Sequence, residues 1–387
     1  MGVASDIDAA QRKFPALGVP LAVIYKYFDD QGNYLAAVLT YYAFLAIFPL
    51  MLLATSILGF VLQGYPQLEK AALDSALAQF PIVGTQLGRP EGLQGSVSAI
   101  IFGGLGALYG ALGLGLGLQN VQATAWAVPR NSRPHPVLTR VTSVVLLGTA
   151  GSIILGISVL SAVATETKLV GDVSSSTWFH WIVRLVTVGI LGLVMTILLR
   201  MAAAKAISHD IASAAPGGFT IAVLFQILQI IGTSYVTHVL NVTDNNSMNA
   251  TFGLVLGLML FLYLAAMIGV LGIEVNVVLA EKLWPRALLT PFTDRVDLTA
   301  ADRKAYAMYA QSMRHKGFQT VAVRFDGRDG DSHEIVLDPR TEEIITQLIP
   351  GSPPFPEVDP KPVKEPAKEP EDTAPIRQVS QDLPPAI

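Results

Sequence analysis

Cysteine is absent from the 387-residue chain, which excludes disulfides, thiolate metal sites and a cysteine nucleophile. Charge is scarce as well: Asp, Glu, Lys and Arg make up 14% of the residues, where a soluble chain of this size carries about a quarter. The net charge of −4 argues against a nucleic-acid surface, which needs concentrated Lys and Arg. The six histidines (His135, His180, His209, His238, His315 and His333) do not fall at metal-ligand spacing. His209 and Asp210 are adjacent, but a lone H-D pair is a weak signal. No phosphate-binding loop, G-x-S-x-G or H-E-x-x-H is present. These absences predict a protein with no catalytic residues, no cofactor and no metal, and therefore not an enzyme. The first 33 residues also lack an apolar core beside a small-residue cleavage site. The first membrane helix is accordingly expected to direct insertion itself.

What is present is oil-seeking sequence. Hydrophobic residues make up 51% of the chain, and no charge occurs from Thr251 to Ile273. Apolar runs of about 20 residues recur, the length that crosses a hydrocarbon core of about 30 Å as a helix. The fold class expected is an all-α polytopic membrane protein with six transmembrane helices. The predicted spans are Tyr34–Leu62, Val97–Ala123, Leu138–Val163, Trp178–Met201, Gly217–Leu240 and Thr251–Ala280, together forming a membrane domain over 34–286. Pro49 interrupts the first span, removing a backbone donor and clashing one turn back, so a bend is expected there.

The segments outside the spans divide readily. Residues 1–33 form an N-terminal arm in which Phe14, Leu17, Leu21, Ile24, Tyr25 and Phe28 recur at helical spacing. The arm either lies at the membrane interface as an amphipathic helix or packs on the bundle. In the connection Gln63–Gly95, Pro66 and the apolar face of Leu73, Leu77 and Phe80 predict an outer-face amphipathic helix near 66–80. After Pro285, a helix opened by Thr299 precedes two alternating strands, F-Q-T-V-A-V-R-F and H-E-I-V-L-D, around the turn-rich D-G-R-D-G-D-S. This predicts a small α+β module over 296–348. The tail 350–387 is rich in Pro, Lys and Glu, a composition that predicts an extended, disordered chain.

Orientation follows from basic residues in the loops. Arg12, Lys13, Lys26, Arg130, Arg133, Arg140, Arg200 and Lys205 fall on one side, against Lys70, Arg89 and Lys168 on the other. Both termini are therefore expected in the cytoplasm, and the N-x-S/T triplets at Asn241, Asn246 and Asn249 outside. Arg184, within the fourth span, is expected to snorkel towards the outer headgroups.

Several residues carry a mechanistic signal. Gly103, Gly106, Gly110, Gly113 and Gly117 are spaced 3, 4, 3, 4, which places all five on one helix face for close packing or for sliding. Gly253, Gly257, Ala265, Gly269 and Gly272 make a similar stripe in the sixth span. Glu274 lies about six residues from the end of that span, or roughly 9 Å deep. A carboxylate at such depth marks either a packing clamp, here with Asn276, or a substrate or proton site. Its candidate partners are Arg140, Arg200 and Lys205. Gln226 and Gln229 could bond across helices. Tyr41 and Tyr42 sit too deep for an interfacial belt, and Asn120 and Gln122 close the second span.

Three stretches together resemble the YihY/BrkB family of bacterial inner-membrane proteins. They are Y-L-A-A-V-L-T-Y-Y-A-F-L-A-I-F-P-L, A-P-G-G at Ala215–Gly218, and the run from Thr251 to Arg286 containing G-I-E-V-N. By this resemblance Tyr41, Tyr42 and Pro49 match the first-helix motif, and Pro216 and Gly217 the entry to the fifth helix. Gly272, Glu274 and Asn276 match G-x-E-x-N. The chain departs from the family at L-R-M-A-A-A-K, where Tyr-Arg and a later Pro are common, and at Tyr263, near which a Trp is common.

The resemblance implies a multi-pass protein of the bacterial plasma membrane, in a family labelled ribonuclease BN or linked to serum resistance or envelope lipid handling. The residues here favour a non-catalytic protein that handles a lipid-linked or amphipathic substrate. A scaffold that recruits cytoplasmic partners through the tail is the alternative, and a membrane-bound ribonuclease ranks below both. The bilayer is the principal partner expected; no nucleic-acid partner is expected, and the small-residue faces would also suit a homo-oligomer.

Overall fold

The computed structural model describes residues 13–61, 67, 97–166, 177–204, 207, 210–242, 248–288, 297–326, 332–337 and 344–349. The outer-face helix expected near 66–80 and the tail 350–387 lie outside them.

A short helix, α1 (Pro15–Asp29), starts with Pro15 in its first turn, where a missing amide donor does no harm. Six long helices follow: α2 (Gly32–Val61), α3 (Val97–Ala125), α4 (Pro136–Glu166), α5 (Thr177–Ala202), α6 (Ile211–Val242) and α7 (Met248–Glu281). They are between 26 and 34 residues long. Four of them contain described stretches long and apolar enough to cross a membrane: Pro136–Ile153, Arg184–Ala202, Ile211–Tyr235 and Val255–Glu281. The apolar part of α2 described with its side chains is shorter, Gly32–Ile47. The exposed surface of these helices is itself greasy: Val141, Val144, Val145, Leu185, Val186, Ile227, Ile230 and Ile231 all point outward. Such a surface is stable only where lipid replaces water.

Helix α7 is the axis of the bundle. It packs against α6 and α2, and also touches α1 and α3. Its residues Val270, Ile273, Val277 and Val278 have no exposed surface. The α2–α3 and α5–α6 pairs complete the arrangement, with α4 packed on α3 and α5.

The glycine face of α3 is only partly used as the spacing suggests. A methyl group at Gly110 would lie 2.7 Å from the Ala46 amide nitrogen, and one at Gly113 or Gly117 would overlap Tyr42 or Leu39 of α2. Gly106, however, faces open space. The contact surface thus covers the C-terminal half of α3, and Gly115 turns the other way to admit Ser143 of α4. In α7, Gly257 and Gly272 are close-contact positions, whereas Gly269 has nothing near it.

The arm packs on the bundle, one of the two arrangements its sequence allows. Ala22, Val23, Tyr25, Lys26 and Tyr27 are buried against the bundle, while Phe14, Leu17, Ile24 and Phe28 are about half or more exposed. Most of the apolar stripe visible in the sequence is therefore the outward face, while its Tyr25 turns inward.

After α7 the chain passes a cis Trp284–Pro285 bond into a module opened by α8 (Ala300–Ser312). Thr299 caps α8 in a reciprocal capping box with Asp302. Strands β1 (Val321–Asp326) and β2 (Ser332–Leu337) pair antiparallel; the expected turn between them, 327–331, lies outside the described residues. A third strand, β3 (Ile344–Ile349), extends the sheet in the order β1-β2-β3. The sequence predicts only the first two strands: I-I-T-Q-L-I does not alternate cleanly, and the expected module boundary at 348 cuts through it. Ala307 of α8 packs on Ile335 and Leu337, with Val321, Val323 and Phe325 around them.

Candidate functional site

The motif G-I-E-V-N works on two sides of α7. Residues 272 and 276 are four apart and share a face, whereas residue 274 lies about 200° from residue 272 around a helix of 3.6 residues per turn. Gly272 and Asn276 face α6. There the Gly217 backbone N–H donates to Asn276 Oδ1 at 2.7 Å. A Cβ at Gly217 would overlap the Gly272 carbonyl, and one at Gly272 would lie 2.8 Å from the Gly217 carbonyl oxygen. The two helices therefore touch backbone to backbone, and Asn276 supplies an acceptor to an amide at the start of α6 that is buried from solvent. Glycine is required on both sides of this contact because any side chain would separate the helices. Pro216 beside it is exposed within the first turns of α6.

Glu274 faces the opposite way and is wholly buried. Its neighbour is Lys26 of α1, with Nζ 3.7 Å from Oε2. The sequence-based candidates were Arg140, Arg200 and Lys205. Arg140 is exposed on the first turn of α4, Arg200 is half-buried at the end of α5, and Lys205 lies outside the described residues. The cation comes instead from the N-terminal arm, because α1 packs directly on the end of α7 where Glu274 sits. The pairing of Glu274 with Asn276 as one clamp is likewise replaced by two contacts on opposite faces.

Lys26 is saturated on one side. It donates to Asp30 one turn on, and to the Ala125 carbonyl at 2.9 Å, a free carbonyl at the C-terminus of α3. Its ammonium also lies 5.0 Å from the Tyr309 ring centroid of α8. Lys26 thus lies within ion-pairing distance of both Asp30 and Glu274. Burial pushes the Asp30 carboxyl above the usual carboxylate range, against the opposing pull of Lys26. No donor with good geometry meets either oxygen of Glu274, and the Tyr27 and Tyr309 hydroxyls are buried without a well-formed partner. The Tyr27 hydroxyl is pushed up to about 12 by burial and by Tyr263 beside it. Burial, followed by Asp30 and Asp29, raises Tyr309 further.

A second buried cluster lies beside the first. Arg286 pairs with Asp302 of α8 through Nε, and with Asp29 of α1 through a 3.1 Å contact. Burial works against the charge on Arg286, but Asp302 and Asp29 outweigh it and raise its pKa. Asp302 also accepts from the Ala287 amide at 3.0 Å, so one carboxylate caps α8 and fixes the chain leaving α7. Lys304 of α8 reaches back to Glu281 at 2.8 Å. The arm, the last long helix and the C-terminal module are thus joined through buried charge.

The other sequence-selected residues lie elsewhere. Tyr41 is about half exposed and meets Tyr42 edge-on, while Tyr42 reaches Tyr109 of α3 at a ring separation of 5.9 Å. Pro49 lies within α2, whose helix continues through it. Gly103 falls within α3, and nothing is described of its surroundings. Gln226 and Gln229 are half-buried on α6. Gln122 bridges helices, donating to the Leu199 carbonyl and accepting from Trp126. Gln119, not singled out in the sequence, binds the Gly115 and Thr139 carbonyls and Ser143 Oγ. Among the described residues, no three His, Asp or Glu side chains gather as a metal ligand set.

Long apolar helices with a lipid-compatible surface define an integral, multi-pass membrane protein. The Virulence factor BrkB family model matches residues 23–292, and the chain belongs to that family. The match spans Lys26, both helix-contact glycines, Glu274, Asn276 and Arg286. No curated protein and no solved structure matches the chain.

Proposed function

We propose that this is a six-span protein of the bacterial inner membrane, with both termini in the cytoplasm, that handles a lipid-linked or amphipathic envelope substrate without catalysing a reaction. The observation that carries this reading is Glu274: fully buried towards the end of the central helix, with the Lys26 ammonium at 3.7 Å as its ion-pair partner among the described residues. Burying an ionisable group in a membrane protein is expensive, and such groups mark substrate or ion paths by default. A purely structural role would be met more cheaply by apolar packing, since a buried ion pair often stabilises less than its hydrophobic replacement. The exposed apolar stripe of α1 adds a surface suited to the headgroup boundary beside the same site.

Glu274→Gln keeps the shape and removes the charge. The reading expects loss of an envelope phenotype, such as detergent or serum sensitivity, at unchanged membrane abundance. Wild-type behaviour in that strain would remove Glu274 from the function.

A second reading, a membrane scaffold, is favoured by the buried Arg286–Asp302 pair that ties the C-terminal module to the end of α7. Removing residues 350–387, which leaves this pair intact, separates the two. Scaffolding requires the phenotype to vanish, and substrate handling requires it to persist.

A further inference from the structure

Among the described residues, the two buried clusters hold more negative than positive charge. Their ion pairs join Lys26 and Arg286 to four carboxylates, those of Asp29, Asp30, Glu274 and Asp302. Of the four, only Asp29 has appreciable side-chain exposure, at 21%. Arg286 is committed to Asp29 and Asp302. Among the described residues, Lys26 is then the only cation within ion-pairing distance of Glu274 or Asp30. One ammonium cannot neutralise two buried carboxylates, and a buried unpaired charge is among the least stable arrangements a protein can hold.

The geometry says where the missing positive charge goes. The Lys26 ammonium lies within ion-pairing distance of both Asp30 and Glu274, which holds two carboxylates, both acceptors, on either side of one cation. Neither Glu274 oxygen has a donor from elsewhere. The surrounding groups do not resolve the conflict. From α1 come Lys26, Asp30 and the Tyr27 hydroxyl; from α7 itself comes Tyr263; from α8 comes Tyr309. Helix α3 contributes the Ala125 carbonyl, one more acceptor. A metal ion placed between the carboxylates would sit close to the Lys26 ammonium and be repelled by it. A proton on one carboxyl turns it into a donor to the other and meets no such repulsion.

We propose that Asp30 and Glu274 share a single proton, making the meeting point of α1, α7 and α8 a buried proton-binding site. The proton neutralises the excess charge at Asp30 and Glu274 and bonds the arm to the central helix. It forms an O–H bond on one carboxyl and a hydrogen bond to the other, and leaves when α1 withdraws and admits water. The site does not depend on substrate handling, since its occupancy is read directly whether or not anything crosses the membrane.

Infrared spectroscopy of the purified full-length protein in lipid nanodiscs near neutral pH tests this. The wild type should show the carbonyl stretch of a protonated carboxylic acid, moved by deuterium exchange. Glu274→Gln and Asp30→Asn should each lose that band, because each leaves Lys26 with one carboxylate. Lys26→Met should retain it. Carbon-13 labelling of aspartate or glutamate in the wild type makes the same assignment without any variant, should either fail to fold. A wild type lacking the band, a band surviving in both carboxyl variants, or a band moved by neither label overturns the proposal. So does a carboxylate spectrum that changes when choline replaces sodium, which would identify a metal ion as the bound charge.

Discussion

The amide of Gly217 and the side-chain oxygen of Asn276 are 2.7 Å apart across the α6–α7 contact. This bond joins the two helices where Gly217 and Gly272 bring their backbones together. Asn276→Leu fills similar space but removes this buried bond, a loss of about 0.5–1.5 kcal/mol. The expected result is a lower unfolding temperature in detergent, with Asn276→Asp milder because it keeps an acceptor. Unchanged melting of Asn276→Leu would mean the bond contributes nothing.

Two glycines on α3 should behave in opposite ways. Gly110→Ala places a methyl 2.7 Å from the Ala46 amide nitrogen, a backbone atom that cannot rotate away. Gly106→Ala meets nothing within 4 Å and gains helix propensity worth about 1 kcal/mol. Thermal unfolding should therefore drop for the first and hold or rise for the second. Equal effects would contradict the α2–α3 contact described here.

Arg286→Ala leaves Asp302 buried without its cation. Breaking a buried pair in this way costs about 3–5 kcal/mol, concentrated where the module meets the membrane domain. Limited proteolysis should cut the variant between residues 286 and 300 at protease levels that leave the wild type whole. Equal resistance in both would show that the module is held by something else.

The pH dependence has a definite sign. Burial raises the Asp30 pKa in the folded protein above its ordinary value, so the folded state holds that proton more tightly than the unfolded chain does. The associated stability is full below the ordinary carboxylate range and declines as pH rises through the elevated value. Melting temperature in detergent should fall across that window in the wild type, and Asp30→Asn should flatten the decline. A wild-type curve that rises there instead would reverse the assignment.

Much of the scaffold was readable because the solvent is lipid. Charge-free runs of helical length leave few options, and the long helices fall where those runs occur. The capping pattern at Thr299 was equally plain, since its physics is local. The partner of Glu274 was not readable. Lys26 is separated from it by nearly 250 residues of chain, and nothing in a single sequence says that an amphipathic arm turns its apolar stripe outward and its lysine inward. The clue, visible in retrospect, is that Lys26 and Asp30 are one turn apart, on the side of α1 opposite Phe14, Leu17, Ile24 and Phe28. β3 escaped because strand pairing is non-local and its own pattern is weak.

The position of α7 in chain order has a consequence for biosynthesis. It is the last of the long helices to leave the ribosome, yet α1, α2, α3 and α6 all rest on it. Earlier helices therefore wait in the bilayer without their common neighbour, and the arm cannot dock until translation has nearly finished. Nascent chains halted before residue 248 should be preferred prey for membrane quality-control proteases.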